Sequence, residues 1–309
     1  MIIAIDLGGT FIKIGLIENG QVVSYATINN LYSPDDFKSI EKTIVGLCAK
    51  HKIELDSIES MGIALPGIVD VKAKRVSYVY GKNIYTMQFD FQAWAKTKFN
   101  LPIVVENDAR AAVIGEWRYG VGRGYQNIVM ITLGTGIGVG VVIEGRVLHG
   151  SHYKAGILGG HLIINVDGHP CNCGNDGCLE AEIGAWNLET ILRESSLFPR
   201  SQLSHYEKHN YKNIFQCYDK KDELAVLMIN RLIKYLQAGT LNLVHAYDPG
   251  VVILAGGVMA RADLIVKPIE RFLSTNVWKP RIKTGIPVIA ATDINFAALK
   301  GLEHLTQIS

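Results

Sequence analysis

The sequence predicts an α/β protein made of two related halves, and three observations carry that expectation. Short apolar runs alternate with longer stretches whose apolar residues fall at helical spacing, as in sheets buried between helical layers. The chain has 309 residues, and a domain usually takes ~100–200, which argues for two. A strand-turn-strand text near the N-terminus also returns later in the chain. Leu7-Gly8 sets onto Leu133-Gly134, and the match runs to Glu18 on Glu144 before one gap brings Gly20-Gln21-Val22 onto Gly145-Arg146-Val147. The offset far exceeds the ~20–50 residues of a solenoid repeat, so it suggests two α/β halves facing one another. The plainer reading is two glycine-rich hairpins alike by chance.

Each element follows from its own residues. Ile2–Ile5 is an apolar run, Gly8-Gly9-Thr10 turns the chain, and Phe11–Ile17 continues largely apolar. Asn19-Gly20 is a hairpin turn into Gln21–Ala26. A helix is expected over Pro34–His51, with Asp35 and Asp36 at its start and Phe37, Ile40, Ile44 and Leu47 spaced along one face. Met61–Leu65 reads as a strand closed by Pro66-Gly67, and Ile103–Val105 as another. Phe89–Phe99 and Asp108–Tyr119 read as helices. The second strand-turn-strand occupies Ile128–Leu148. Helical text follows over Leu179–Glu194, then a polar, irregular stretch over Ser195–Asn213. A long helix is expected over Lys221–Tyr247 and a strand over Val251–Leu254. Helices over Ala260–Thr275 and Asn295–Thr306, with a strand at Pro287–Ala290, complete the reading.

Composition narrows the function. Hydrophobic residues make up 48% and charged residues 19%, a soluble globular balance that leaves little room for disorder. With 31 basic and 29 acidic residues the net charge is +2, which gives a nucleic acid no broad basic face. The uncharged, largely apolar run Ile128–Ile143 has 16 residues and four glycines, short of the ~20 apolar residues of a membrane span. The opening MIIAIDLGGT lacks the basic stretch of a signal peptide. Cys171, Cys173 and Cys178 crowd together while Cys48 and Cys217 stand apart. Clustered thiols without a secretion signal suggest a metal site in a reducing compartment, so the expected setting is the cytoplasm.

Four glycine turns are candidate phosphate contacts: Asp6-Leu7-Gly8-Gly9-Thr10, Leu65-Pro66-Gly67, Leu133-Gly134-Thr135-Gly136 and Leu254-Ala255-Gly256-Gly257. Glycine lets backbone amides approach a phosphate, although turns use glycine more often for geometry alone. The first turn adds a carboxylate suited to magnesium and a hydroxyl. Neither a P-loop nor the three-glycine dinucleotide pattern is present.

The ordered set IDLGGT, LPG, VENDARAA, LGTGIG, CNCGNDGCLE and LAGGV resembles the bacterial ROK-family sugar kinases over essentially the whole chain. Their fold is that of the hexokinase and actin-like ATPases. The resemblance implies two actin-like, ribonuclease-H-like α/β domains flanking a cleft. The domains expected are 1–118, completed by the C-terminal helix at 294–309, and 119–293, with a zinc segment at 161–180. It further implies ATP with magnesium as cofactors, a homodimer, and phosphorylation of a hexose on its 6-hydroxyl. Asp108 becomes the catalytic base, a role its chemistry suits because a sugar hydroxyl needs a proton acceptor. The other reading of Asp108 is an N-cap for the helix that follows. The same resemblance places Gly67, Asn107, Asp108, His161 and Glu180 on the sugar. It puts Asp6, Gly8, Gly9, Thr10, Gly134, Thr135, Gly136, Gly256 and Gly257 on the nucleotide.

His161, Cys171, Cys173 and Cys178 match the family's structural zinc ligands, with His169 as the rival to His161. A four-coordinate set of this kind leaves no open position. One departure stands out. The family usually reads Gly-Glu-Ile-Gly-His, and its glutamate grips sugar hydroxyls, whereas this chain has Leu158 at that place. The sugar is therefore open, and an N-acylated sugar such as N-acetylmannosamine is the alternative. The family also includes sugar-responsive repressors with a helix-turn-helix ahead of the kinase-like body. This chain begins at the first strand, so the kinase is expected over the regulator.

Overall fold

Ile2–Leu7 (β1) and Phe11–Glu18 (β2) form an antiparallel hairpin, and Gln21–Asn29 (β3) folds back on β2. The structure is a computed structural model that describes residues 1–278, 285–293 and 295–308. Positions 294 and 309, the ends of the expected C-terminal segment, lie outside the described residues. The chain divides into two units. The first takes 1–124, 146–155 and the C-terminal segment from Asn295; the second takes 125–145 and 156 onward to that segment.

Ser60–Leu65 (β4), a small antiparallel pair Ile68–Asp70 (β5) and Arg75–Tyr78 (β6), and Ile103–Asn107 (β7) complete the strands of the first unit. Its main sheet runs β3-β2-β1-β4-β7, with β1, β4 and β7 parallel. Successive side chains alternate between faces. Ile3, Ile5, Ile63 and Val105 pack under Phe37 and Ile40 of Asp35–His51 (α1) and Phe91 of Phe91–Phe99 (α2). Ile2, Ala4 and Ala64 face Ala111 of Asp108–Tyr119 (α3) and Leu299 and Leu302 of the C-terminal helix Ala297–Gln307. Both faces are covered, which is why these strands read as unbroken apolar runs.

The second unit repeats the plan. Ile128–Leu133 (β8) pairs antiparallel with Ile137–Ile143 (β9), and the strand Val251–Ala255 lies parallel to β8, with Val288–Ala290 parallel beyond it. The repeat seen in sequence is thus a repeat of sheet topology. Its pairing differs by one residue, since Leu7 faces Ile12 while Leu133 faces Ile137. The turns explain this: Gly8 N–H bonds to Phe11 O, whereas Gly134 N–H closes on Gly136 O, a shorter loop.

Three expectations change. The helix expected over Leu179–Glu194 is broken into Leu179–Ile183 (α4), a 3₁₀ turn at Ala185–Asn187 and a helix Leu188–Arg193. The amides that would continue α4 are taken elsewhere, Ala185 N–H by Gly134 O and Trp186 N–H by Thr135 O. The polar stretch 195–213 contains two 3₁₀ turns and the start of a helix, Tyr211–Asp219, set by an Asn210/Asn213 capping box. The pair β5–β6 has no counterpart in the sequence reading. No described helix is long and apolar enough to cross a membrane.

Candidate functional site

In the first unit, β1 delivers Asp6 one residue before its end, on the sheet face opposite that of Ile5 and Leu7. The turn after it is braced from behind. Asn30 Nδ2 donates to Gly8 O at 2.8 Å, Tyr32 Oη to Gly9 O at 2.7 Å, and Asn30 N–H to Thr10 O at 3.0 Å. With its carbonyls held inward, the turn leaves Gly9 and Thr10 exposed. Lys13 is the cross-strand partner of Asp6. Burial raises the Asp6 carboxyl above its ordinary range, against the opposing pull of the Lys13 charge.

β7 ends on Asn107, and α3 begins at Asp108. The cap of α3 is Asn107 rather than Asp108: its Oδ1 accepts from Ala109 N–H at 3.0 Å and Arg110 N–H at 3.2 Å. The Asp108 carboxylate shares one of these amides, its Oδ1 accepting from Ala109 N–H at 2.8 Å, and leaves Arg110 N–H to Asn107. Asn107 Nδ2 donates to Gly67 O and to Asp108 Oδ1, both at 3.0 Å. Gly67 sits at φ +93°, and a Cβ there would come within 2.3 Å of Tyr78 O, so only glycine fits. Burial, then the nearby Asp6 charge, pushes the Asp108 carboxyl up to about 7, although Ala109 N–H and Asn107 donate to it. Two carboxyls both raised by burial, one of them raised further by the charge of the other, suit a site that takes up a proton or a cation.

In the second unit Glu180, in the first turn of α4, accepts from Ile137 N–H at 2.7 Å through Oε2. Gly136 lies directly against it, where a Cβ would stand 2.5 Å from the same oxygen. Gly134 and Thr135 offer their carbonyls to Ala185 and Trp186. Gly256 precedes, and Gly257 opens, the 3₁₀ turn Gly257–Arg261.

His161, Cys171, Cys173 and Cys178 converge, their ligand atoms all within 4.8 Å of one another. His161 Nδ1 is 3.6 Å from Cys171 Sγ, and the Cys173 and Cys178 sulfurs are 3.5 Å apart. A tetrahedral site with bonds of ~2.3 Å spaces its ligand atoms by ~3.8 Å, so the donor set and its size both fit zinc. His169 is committed elsewhere: Nδ1 meets Glu182 at 3.2 Å and Nε2 meets Glu194 at 2.8 Å. Arg231 holds the buried Glu182 in turn. Leu158 opens the 3₁₀ turn Leu158–His161 and is 40% exposed. The two glycines after it pack closely on β9, where Cβ atoms would fall 2.6 Å from Val139 and 2.2 Å from Ile137 O.

The sequence reading missed a buried cluster around the Asn107-Asp108 pair. Glu106 is 1% exposed and Arg110 fully buried, with His149 Nε2 at 2.7 Å from Glu106 Oε2. A charged residue inside an apolar strand was the available signal.

A glucokinase of Halalkalibacterium halodurans is 31% identical over 313 residues, covering 97% of this chain and 92% of that protein. An N-acetyl-D-glucosamine kinase of Vibrio cholerae is 28% identical over 283 residues, 86% of this chain and 87% of that one. The crystal structure of a ROK-family glucokinase from Streptomyces griseus, in complex with glucose and AMPPNP, is similar with a TM-score of 0.80 at 28% identity. It is matched over 100% of this chain and 99% of its own. The profile of the ROK family matches residues 2–308, and the chain belongs to that family.

Proposed function

We propose that the chain is a sugar kinase that transfers a phosphoryl group from ATP to a hexose or hexose derivative, on its 6-hydroxyl, with Asp108 as general base. The observation that carries this reading is the Asp108 carboxyl, raised to about 7 beside Asp6. A base works best with a proton affinity near the working pH, where it is largely free yet still takes the hydroxyl proton as the bond to phosphorus forms. The glucokinase and N-acetylglucosamine kinase relatives support the same acceptor class.

In this reading Asp6 serves a magnesium ion, which would neutralise charge on the transferring phosphates. Gly8, Gly9 and Thr10 take phosphate oxygens, and Gly134, Thr135, Gly136, Gly256 and Gly257 contribute to nucleotide binding. Asn107, His161 and Glu180 hold sugar hydroxyls, with the backbone of Gly67. The Cys₃His set holds a structural zinc and, with no open position, orders the segment that carries His161 and Glu180. Leu158 favours a substituted sugar such as N-acetylmannosamine as a second reading, since leucine offers a hydroxyl no partner. A homodimer in the cytoplasm completes the proposal, consistent with five free cysteines.

The test is ADP release by the zinc-loaded protein with ATP and magnesium. Its acceptors are glucose, mannose, fructose, allose, glucosamine, N-acetylglucosamine and N-acetylmannosamine. At least one sugar should give a kcat/KM of ~10⁴ M⁻¹s⁻¹ or more, the lower end of ordinary enzymes. Background rates with all seven would sink the kinase.

A further inference from the structure

Glu106 and Arg110 flank the Asn107-Asp108 pair, and both are buried. Such a pair needs partners for every donor and acceptor. The Arg110 guanidinium finds them in one short stretch of chain: Nε donates to Leu148 O at 2.9 Å, and Nη2 to Tyr153 O at 2.8 Å and Ala155 O at 3.0 Å. It also reaches His149 O at 3.5 Å, while Nη1 faces Glu106 Oε1 at 3.4 Å. This stretch, 146–155, groups with the first unit although the sequence on both sides groups with the second. Arg110 is the anchor that holds it there.

Anchoring fixes His149 in detail. Its carbonyl is held by Arg110 and by Ala155 N–H at 3.2 Å. Its Nε2 lies 2.7 Å from Glu106 Oε2. Glu106 Oε1 is taken by Asn107 N–H at 2.8 Å and by Arg110, so Oε2 is the oxygen left for the imidazole. A buried carboxylate on one ring nitrogen sets the tautomer, placing the proton on Nε2 and leaving Nδ1 with a lone pair. Nδ1 has no hydrogen-bond partner among the described residues, and the side chain remains 29% exposed. An unpartnered acceptor on a part-exposed imidazole, oriented from behind by two buried charges, has the form of a ligand contact. Glu106 also lies only two residues before Asp108, at most ~7 Å along the chain.

We infer that His149 contacts the acceptor sugar, accepting a hydrogen bond from a hydroxyl at Nδ1, with Glu106 and Arg110 as its positioning residues. The inference rests on the sugar-kinase reading and adds to it a group that binds the acceptor from the same unit as Asp108.

The experiment uses the zinc-loaded enzyme and the best sugar of the seven-member panel. His149→Gln and His149→Phe should lower kcat/KM for that sugar by roughly tenfold or more through KM, the size of one lost hydrogen bond to a buried hydroxyl. The KM for ATP should stay within about twofold. Glu106→Gln should lower it in the same way while the melting temperature of the His149 variants stays near wild type. In ¹⁵N-histidine spectra, wild type should show an Nε2-protonated imidazole whose Nδ1 resonance moves when the sugar is added without nucleotide. An unmoved Nδ1 resonance, or kcat/KM within about threefold of wild type in both His149 variants, overturns the assignment. If no sugar of the panel is phosphorylated, the kinase reading fails instead, and an Nδ1 resonance that still moves on addition of glucose or N-acetylmannosamine keeps His149 as a sugar contact.

Discussion

Burial and the charge on Asp6 hold the Asp108 carboxyl near 7, and the consequences run in opposite directions for catalysis and stability. Asp108→Asn removes the proposed base and should lower kcat by ~10²–10⁴; turnover within about threefold of wild type would show that another group takes the proton. For wild type, kcat/KM should rise with pH through a limb near 7. Stability should do the reverse. Between the ordinary aspartate value of 3.8 and about 7 the folded chain keeps a proton that the unfolded chain has lost. Stability therefore falls as pH rises through that window. Asp108→Asn should accordingly melt higher than wild type at pH 8, a gain that shrinks towards pH 4. Leu158 supplies the second residue-scale test. Its side chain is 40% exposed, so a glutamate there would remain solvated until a sugar arrives. Leu158→Glu should raise kcat/KM for glucose roughly tenfold, one charge-assisted hydrogen bond. No gain with glucose would mean that this position does not face the sugar. Residue types at these places were legible in the sequence. That Asn107 caps α3 while Asp108 takes only Ala109 N–H and Asn107 Nδ2 was not, because it depends on which oxygen meets which amide.

Among elements, the turn after β8 and helix α4 depend on one another. Gly136→Ala would drive a methyl to 2.5 Å from Glu180 Oε2 and displace that carboxylate from Ile137 N–H. If Glu180 holds sugar, the KM for sugar should rise about tenfold while the KM for ATP stays within about twofold and the melting temperature barely moves. A selective rise in the KM for ATP would instead assign Gly136 to the nucleotide. The cysteine segment offers a harder test. Cys173→Ser should lose one zinc per chain by elemental analysis, and hydrogen exchange over residues 161–180 should quicken, with activity falling although no ligand does chemistry. Full activity without metal would break the link between this segment and the sugar. The ligand set was visible from Cys171, Cys173 and Cys178 alone. His161 was preferred over His169 only through the resemblance; the physical ground for setting His169 aside, its bonds to Glu182, Glu194 and Arg231, lies up to 62 residues from it in sequence.

At the scale of the whole molecule, the last helix belongs to the first unit. It crosses α3 where two glycines meet backbone: a Cβ on Gly115 would fall 1.9 Å from Ala297 O, and one on Gly301 1.9 Å from Ala111 O. Backbone cannot rotate aside as a side chain can. Gly301→Ala should therefore cost about 1–3 kcal/mol through overpacking and lower the melting temperature by several degrees, with faster hydrogen exchange in α3. An unchanged melting temperature would show that the two helices can separate at no cost. By itself the sequence determined the α/β class, the doubled strand-turn-strand plan and the clustered thiols of the Cys₃His group. These rest on alternation, glycine turns and spacing, all local along the chain. Only the tertiary structure decided the one-residue difference in pairing between the two hairpins, the break after α4, and the cluster that joins Glu106 and Arg110 to His149. Each of those depends on burial and on partners brought together from distant parts of the chain, where a carbonyl or a charge takes up a bond that local propensity would have spent elsewhere.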